Sequence, residues 1–442
     1  MKKNLLFNVL LLLTLFAQAQ QPIKLSLNEA IDYAIKNQPA FQNYKVDQQI
    51  ASAKQLESTS KYLPKLSGNV DFRDNLKLGQ IALKFPNPVT GIEEQRTIQQ
   101  GTQYSATAGV DLTVPVLDMA SVTDMKYTKQ QKALTALQVE QATVDLKLNV
   151  SRAYYLALLN TERVKKAEKS VERFQKAYDD TKVRYDNQNA VKSDLNRAYL
   201  NLSNAKYQLK ISQDSIKTSK LTLGQILGLP LDAQVELTDV LPVDTKAEAL
   251  PEYPDIKSAE LSRVELRAEN MNQTLSTLQL KKINMQYVPS LNGYGYIGGQ
   301  GLDNTNLFSK DKWFWMSYIG LRLSIPIFDG LQKVSLANQQ KLVIQKSVNN
   351  ISTIRNNINY QLQSSLINYA NASTNLQLIK DNVTLAEDVV KDVNVRYANG
   401  VATYQEVVDA ETTLKETEFN YLQSLYVFLV SELEWKKANG KL

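Results

Sequence analysis

Apolar and polar residues alternate along four segments of the chain: 66–73, 104–116, 291–298 and 313–327. A period of two places successive side chains on opposite faces of a β-strand. The pattern therefore predicts four strands, each with one apolar and one polar face, which form one β-hairpin in each half of the sequence. The polar segments between paired strands, 76–101 and 299–311, are predicted to be irregular tips.

Long stretches without glycine or proline follow each pair of strands: 116–223, 331–399 and 401–439. Both residue types disfavour helix interiors, so these stretches predict helices. About 65 residues of helix would span roughly 100 Å, which is far beyond ordinary globular length. Apolar residues of the first stretch recur at heptad-like spacing and predict a packed helical seam: Leu134, Leu137, Val144, Leu148, Tyr155 and Leu158.

Three short motifs occur twice, at offsets of 225, 211 and 212 residues: Tyr62-Leu63-Pro64 with Tyr287-Val288-Pro289, Leu112 to Asp118 with Leu323 to Asp329, and Val183-Arg184-Tyr185 with Val395-Arg396-Tyr397. A period this long indicates a duplicated half-protein and not a solenoid unit. We expect a signal peptide at 1–19, a first structural repeat at 20–230 and a second at 231–442. Their β-hairpins lie at about 64–117 and 289–328, and their long helices at about 118–227 and 329–437.

The N-terminus has the pattern of a secretory signal. Two lysines precede the apolar stretch 5–16, and Ala17-Gln18-Ala19 fits a small-x-small cleavage site, so we expect a mature start at Gln20. No cysteine follows the apolar stretch, and we therefore expect no lipid anchor at that end. No later stretch has the length and apolar character of a transmembrane helix.

Composition removes several classes of function. Histidine and cysteine are absent, which excludes disulfides, metal sites built on those residues and nucleophile–histidine catalysis. Gly293, Gly295 and Gly298 have dinucleotide-loop spacing but lie in a predicted strand, so no cofactor is predicted. The 51 basic and 45 acidic residues are interleaved, so no nucleic-acid partner is predicted. We do not expect an enzyme.

The predicted strands have the length of tilted membrane-spanning strands. Aromatic residues lie near their tip ends, where an interfacial belt would lie: Tyr104, Trp313, Trp315 and Tyr318. Four strands leave exposed edges and cannot close a barrel in lipid, so a membrane location requires an oligomer, eight strands for a dimer or twelve for a trimer. A small β-sandwich edge in a soluble periplasmic coiled-coil protein is the alternative.

Acidic residues follow two predicted turns. Gly400 interrupts a helical run, and Glu406 and Asp409 come next on one face of the returning helix. The equivalent first-half turn is Gln188-Asn189-Ala190, followed by Asp194. These acids are either an ordinary solvated helix start, where negative charge is favourable, or a ring of carboxylates in an oligomeric pore.

On these motifs the chain resembles the TolC-type outer-membrane efflux family, over essentially its whole mature length. Further carriers of the resemblance are Leu27-Asn28-Glu29-Ala30, Leu223 to Gly228, Pro326 to Gly330 and Arg396-Tyr397-x-x-Gly400. The resemblance implies an internally duplicated α+β membrane protein. Its homotrimer would form an outer-membrane β-barrel with four strands per protomer, continued by a long periplasmic α-helical barrel. A mixed equatorial region would come from parts of 22–60, 225–260 and the C-terminus.

The resemblance also implies a function. The chain would be a passive duct in the outer membrane of a Gram-negative bacterium, extending into the periplasm, for efflux of small toxic compounds by a tripartite system. Its partners would be a periplasmic adaptor (membrane fusion) protein, an inner-membrane pump and outer-membrane lipid. The alternatives are the conduit of a type I protein secretion system and a non-conducting trimeric membrane-anchored scaffold.

The resemblance assigns roles at the helix turns. It implies a pore constriction at Glu406 and Asp409, gate-linking residues at Asp194 and Tyr397, and adaptor-facing tips at Gln188, Asn189, Ala190, Gly400, Val401 and Ala402. Three copies of two carboxylates around one axis would favour cations and raise some carboxylate pKa values. Two positions depart from the family: Ala402 stands where some relatives carry a gate arginine, and Gln188 replaces a turn glycine.

Overall fold

The computed structural model describes residues 23–86, 88, 91–242, 256–305, 307 and 310–442. The strands are β1 (Ile23–Leu25), β2 (Lys65–Asp74), β3 (Gly79–Pro86), β4 (Glu93–Gln100), β5 (Tyr104–Leu117), β6 (Val235–Leu237), β7 (Ser290–Asp303) and β8 (Trp313–Ser324). The helices are α1 (Leu27–Asn37), α2 (Pro39–Ser60), α3 (Met119–Asp186), α4 (Lys192–Leu227), α5 (Ile256–Ser262), α6 (Val264–Met285), α7 (Gln332–Ala398) and α8 (Tyr404–Ala438). The predicted signal peptide and residues 243–255 of the expected equatorial region lie outside the described residues.

The chain folds into two compact units, each assembled from both halves of the sequence. Of the described residues, the first unit comprises 23–48, 135–242, 256–270 and 349–442, and the second comprises those within 49–134 and 271–348. The prediction of very long helices is confirmed, since α3 has 68 residues and α7 has 67. Among the described residues, no helix is apolar enough over sufficient length to cross a membrane.

The second unit contains one antiparallel sheet of four strands in the order β2-β5-β7-β8. All four predicted strands are therefore confirmed, and each half contributes one hairpin. The predicted extension of the last strand to residue 327 is wrong, because β8 ends at Ser324. Pro326 follows and has no N–H to donate to a ladder, which accounts for the earlier end.

The two faces of this sheet differ in chemistry along its whole width. One row across the strands is Leu66, Leu112, Gly295 and Ile319, and the next is Ser67, Asp111, Tyr296 and Tyr318. The apolar face is open to the surroundings of the single chain, as Val70 is 85% exposed and Ile319 91%. On the polar face the Asn69 amide donates to Asp111 at 2.6 Å.

Tyrosine rings cover glycines on the polar face. Gly109 and Gly298 are direct neighbours on β5 and β7, and the ring of Tyr296 lies where a Cβ on either glycine would be. Gly320 on β8 lies opposite Tyr294 and is covered by its ring in the same way. The glycines give the sheet room for these rings, which is a known compensation for glycine in a strand.

The prediction of irregular tips is wrong. Within 76–101, β3 and β4 form an antiparallel ladder from Gly79–Gln100 to Pro86–Glu93. Alternating Ile81, Leu83 and Phe85 signal this strand within an otherwise polar segment. The second tip is ordered by a 3₁₀ turn at Lys310–Lys312 and by Trp313, whose indole N–H donates to the Leu307 carbonyl at 2.8 Å.

The first unit is held by a core of helices around a short parallel pair of strands, β1 and β6. The hydroxyl of Tyr154, which is fully buried, donates to the Leu25 carbonyl at 2.9 Å and contacts Asp239 at 3.0 Å. Burial raises the pKa of the Tyr154 phenol. Leu148 and Leu158 of the predicted seam are buried, as expected, while Val144 and Tyr155 are only partly buried.

Candidate functional site at the two helix turns

The first turn, residues 187–191, ends α3 with a closed capping motif. The Asn189 N–H donates to the Arg184 carbonyl at 2.7 Å and the Gln188 N–H to the Tyr185 carbonyl at 2.9 Å. This is the Schellman arrangement, which requires a left-handed residue at its centre. Gln188 fills that position with φ of 62°, a conformation that favours glycine.

The second turn, residues 399–403, repeats the same motif with glycine at its centre. The Val401 N–H donates to the Arg396 carbonyl at 2.9 Å and the Gly400 N–H to the Tyr397 carbonyl at 3.1 Å. Gly400 has φ of 75°. The predicted turn is therefore confirmed, and the two turns share their backbone geometry although only one contains glycine.

The helices that leave the two turns start differently. Thr403 caps α8 in a reciprocal capping box with Glu406, whereas Val191 at the start of α4 has no side-chain cap. The Glu406 carboxylate accepts from the Thr403 N–H at 3.0 Å and from its hydroxyl at 3.1 Å. The structure thus gives Glu406 a local role at the helix start.

Glu406 is also paired with an arginine. Arg396 donates through Nη2 to Glu406 Oε2 at 2.9 Å. The Thr403 backbone N–H lowers the pKa of Glu406, and the Thr403 hydroxyl and Arg396 lower it further. In the single chain these donors stabilise the ionised form of Glu406, and the raised carboxylate pKa values expected for a ring of three copies stay a prediction.

Asp409 is linked to an arginine through an amide. Gln405 donates through Nε2 to Asp409 Oδ1 at 2.8 Å, and the same amide accepts at Oε1 from Arg197 Nη1 at 2.8 Å. Arg197 lies on α4, so this bridge joins the starts of the two returning helices. The predicted constriction carboxylates therefore both lie in hydrogen-bonded sets that contain an arginine.

The two turns are joined by a contact between Arg184 and Tyr397. Arg184 donates through Nη2 to the Tyr397 carbonyl at 3.0 Å, and its guanidinium lies 4.2 Å from the centroid of the Tyr397 ring. Among the described residues, no hydrogen bond joins Asp194 to Tyr397. Both are instead close to Tyr404, whose phenol pKa is raised by burial first and then by Tyr397 and Asp194.

The predicted tip residues divide by exposure. Gln188, Asn189, Gly400 and Val401 are exposed, and Ala190 is partly exposed. Ala402 is buried, with 8% of its surface exposed, so its methyl group belongs to the interior of the turn. The exposed residues alone offer side chains or backbone to another molecule.

An ionic ladder joins α3 to α8 within about six helical turns of the two chain reversals. It consists of Lys166, Arg173, Glu411 and Glu418. Arg173 contacts Glu411 at 2.6 Å and Glu418 at 3.4 Å, and Lys166 contacts Glu418 at 2.8 Å. Burial raises the pKa of Glu411, and the hydrogen bond from Arg173 opposes that effect. The four residues are two turns apart within each helix and present one charged face to the other helix.

The arginines of this region are the functional residues that sequence reasoning missed. Arg184 and Arg396 are equivalent members of a repeated motif, and their 212-residue offset was a usable signal. The ladder residues have seven-residue spacing within each helix, which was a second signal. Among the described residues, no group of acidic side chains could hold a metal ion.

Residues 249–440 match the family model of the outer membrane efflux protein, OEP. The match covers 192 of the 442 residues, within the second repeat. Together with the relatives and solved structures below, it confirms the predicted resemblance to TolC-type outer-membrane efflux proteins.

The matches to curated relatives cover different shares of the chain. Outer membrane protein TolC of Escherichia coli (strain K12) is 22% identical over 356 residues, which are 77% of this chain and 71% of TolC. The match to TolC of Salmonella enteritidis is also 22% identical but spans 192 residues, 42% of this chain and 39% of that protein.

The fold of the chain is similar to that of solved outer-membrane channels. A crystal structure of CusC, described in terms of folding and transmembrane channel formation, superposes with a TM-score of 0.76 at 17% identity. The superposition covers 96% of this chain and 95% of CusC. At this level of identity the likeness shows the fold, and the function of the chain follows from its own residues.

Proposed function

We propose that the chain is the outer-membrane channel of a tripartite export system, a passive duct for small toxic compounds that is gated at the two helix turns. The observation that carries the proposal is the four-stranded sheet, whose one face is apolar and exposed while the other is polar. A sheet of this kind suits lipid on one side and a water-filled lumen on the other.

The unpaired edges of the sheet support a homotrimer. Among the described residues, β2 and β8 have a strand on one side only. In lipid an unpaired edge leaves backbone groups without partners, so other copies of the chain must pair with both edges. Three copies supply twelve strands, the arrangement that the family resemblance implies.

The helix turns support a gate and a docking surface for an adaptor. The contact of Arg184 with Tyr397 ties the first turn to the second, and it is half exposed and accessible to competition by another molecule. Gln188, Asn189, Gly400 and Val401 form the exposed tips to which a periplasmic adaptor would bind. An inner-membrane pump would supply the energy, since the chain has no nucleotide-binding loop.

The lipid-facing sheet is tested by two neighbouring substitutions on opposite faces of β2. Val70→Lys places a charge on the exposed apolar face, where a lysine at the bilayer midplane costs about 2–4 kcal/mol. Asn69→Lys places the same charge on the polar face beside Asp111. We expect Val70→Lys to abolish heat-resistant trimers in outer-membrane fractions and Asn69→Lys to retain them. Equal assembly of both variants would contradict a lipid-facing sheet.

The duct itself is tested by single-channel recording of detergent-purified protein in planar bilayers. A stable current supports the conduit, and absence of current from verified inserted trimers supports the non-conducting scaffold. A gene deletion in the native host separates the cargoes. Sensitivity to dyes and detergents supports efflux, whereas loss of a secreted protein with unchanged sensitivity supports the type I secretion alternative.

A further inference from the structure

The carboxylates of the predicted constriction are not free acids in the structure. Glu406 has Arg396 at 2.9 Å, and Asp409 is joined to Arg197 through the Gln405 amide, with 2.8 Å at each step. Two arginines therefore accompany the two carboxylates in two hydrogen-bonded sets, Arg396 from the last turns of α7 and Arg197 from the start of α4.

Arg197 and Asp409 occupy equivalent positions of the duplicated sequence. Each is the sixth residue of its returning helix, since α4 starts at Lys192 and α8 at Tyr404, and the two lie 212 residues apart. Where both repeats surround one pore, equivalent positions lie at about the same height along it. A ring that contains Asp409 thus contains the opposite charge of Arg197 from the other repeat.

The pairing changes the electrostatics that a passing ion meets. Rings of one charge sign select ions of the other sign. The fields of a paired arginine and carboxylate largely cancel beyond a few times the separation of their charges, whereas an unpaired charge acts out to about the Debye length, roughly 8 Å at physiological ionic strength. Side chains of Arg396 and Glu406 are 45% and 41% exposed, so the positive member of the pair is as accessible as the negative one.

We infer, on the basis of the proposed conduit, that Arg197 and Arg396 determine its ion selectivity by compensating Asp409 and Glu406. The constriction is then weakly selective between cations and anions, in contrast to the acidic ring expected from the carboxylates alone. A compensated constriction admits anionic and zwitterionic small molecules as well as cationic ones. The two arginines are specificity-determining residues of the duct.

The test is the reversal potential of single channels under a KCl gradient for wild type, Arg197→Gln and Arg396→Gln. Lys210→Gln is the matched control, because Lys210 is an exposed cation of α4 that pairs with Asp214 in the same helix. We expect each arginine variant to raise the potassium-to-chloride permeability ratio by about threefold or more, because in the proposed trimer three copies of a positive charge are removed from the constriction. The ratio of Lys210→Gln stays at the wild-type value.

The outcomes separate this inference from the function on which it rests. Conducting arginine variants with wild-type permeability ratios would overturn the inference and leave the conduit intact. A strongly cation-selective wild-type channel would overturn it as well. Absence of current from every verified trimer contradicts the conduit itself. Circular dichroism and trimer retention on gels confirm that each variant is folded before its recording is interpreted.

Discussion

The two helix pairs, α3 with α4 and α7 with α8, reverse direction with the same backbone motif and different side chains. The second turn has Gly400 at its left-handed position and a capping box of Thr403 and Glu406. The first turn has Gln188 and the uncapped Val191 at the equivalent positions. Duplication has kept the path of the chain, while the interactions that stabilise that path have become concentrated in the second half.

The arginines before the turns show the same divergence. Arg396 pairs with Glu406 ten residues later in its own turn, whereas the equivalent Arg184 reaches Tyr397 of the other turn. The arginine of the second turn thus pairs within its own turn, whereas the arginine of the first turn contacts the other turn.

The largest expected effect on stability concerns the ionic ladder between α3 and α8, where the two returning helices differ. Glu411 and Glu418 of α8 are buried against Arg173, while Tyr199 and Lys206, the equivalent residues of α4, are exposed. Arg173→Ala leaves two buried carboxylates without that partner, and we expect a loss of about 3–5 kcal/mol in the free energy of unfolding. Denaturant unfolding of the detergent-purified protein measures it.

Two further variants show whether the loss of stability comes from the buried charges. Lys206→Gln removes an exposed charge from α4 and is expected to change the free energy of unfolding by less than about 0.5 kcal/mol. Arg173→Met combined with Glu411→Gln and Glu418→Gln removes the buried charges together and is expected to recover most of the stability, because the one ladder ion left unpaired, Lys166, is partly exposed. If this triple variant loses as much stability as Arg173→Ala, then the packing of these side chains, and not their charge, stabilises the contact between α3 and α8.

Exchanging the residues at Gln188 and Gly400, which both have positive φ, tests whether the two turns share one backbone motif. Gly400→Gln forces a side chain into positive φ and should cost about 1–2 kcal/mol, while Gln188→Gly relieves the same strain and should gain about 0.5–1 kcal/mol. Asn187→Gly is the control, since it adds glycine at a residue without positive φ and should lose about 0.5–1 kcal/mol. Melting temperatures that move in the same direction for both exchanged residues would contradict a shared motif.

The smallest effect concerns acid pH and the capping box. The pKa of Glu406 is lowered in the folded chain, so its contribution to stability is present above the ordinary glutamate pKa of about 4.3 and is lost as the pH falls through the lowered value. Glu406→Gln should therefore be less stable than wild type at neutral pH, and the difference should shrink as the pH falls below about 4. Asp194→Asn, in the uncapped turn, should lose less stability at neutral pH. A Glu406→Gln deficit that does not change with pH would contradict this account.

The strands and long helices could be predicted because their signals are local. Period-two alternation determines strands such as β5, and the absence of glycine and proline determines α3 and α7. The β3–β4 ladder escaped prediction because its apolar alternation is short and lies among charged and glutamine residues. Turn position was predictable from Gly400, and its equivalent at Gln188 was found only through the duplication.

The site was predictable in part, because a carboxylate can be read from the sequence and its partner cannot. Glu406 and Asp409 were identified, but the positions of Arg396 and Arg197 beside them depend on how two helices pack. Arg184 and Tyr397 are 213 residues apart, and only the fold brings them into contact. The lowered pKa of Glu406 in the single chain likewise depends on neighbours, Thr403 and Arg396, that composition does not reveal.

The tyrosine rings over the glycines of the sheet constrain how this protein can evolve. A side chain at Gly109 or Gly298 would collide with Tyr296, and one at Gly320 would collide with Tyr294. Mutation at Gly109 or Gly320 is therefore accessible only after the ring has been lost, whereas loss of the ring first exposes bare backbone. At Gly298 the backbone of Ala108 and Gly109 obstructs a side chain as well. Such sign epistasis predicts that tyrosine and glycine at these positions are inherited as a set and are replaced together in divergent lineages.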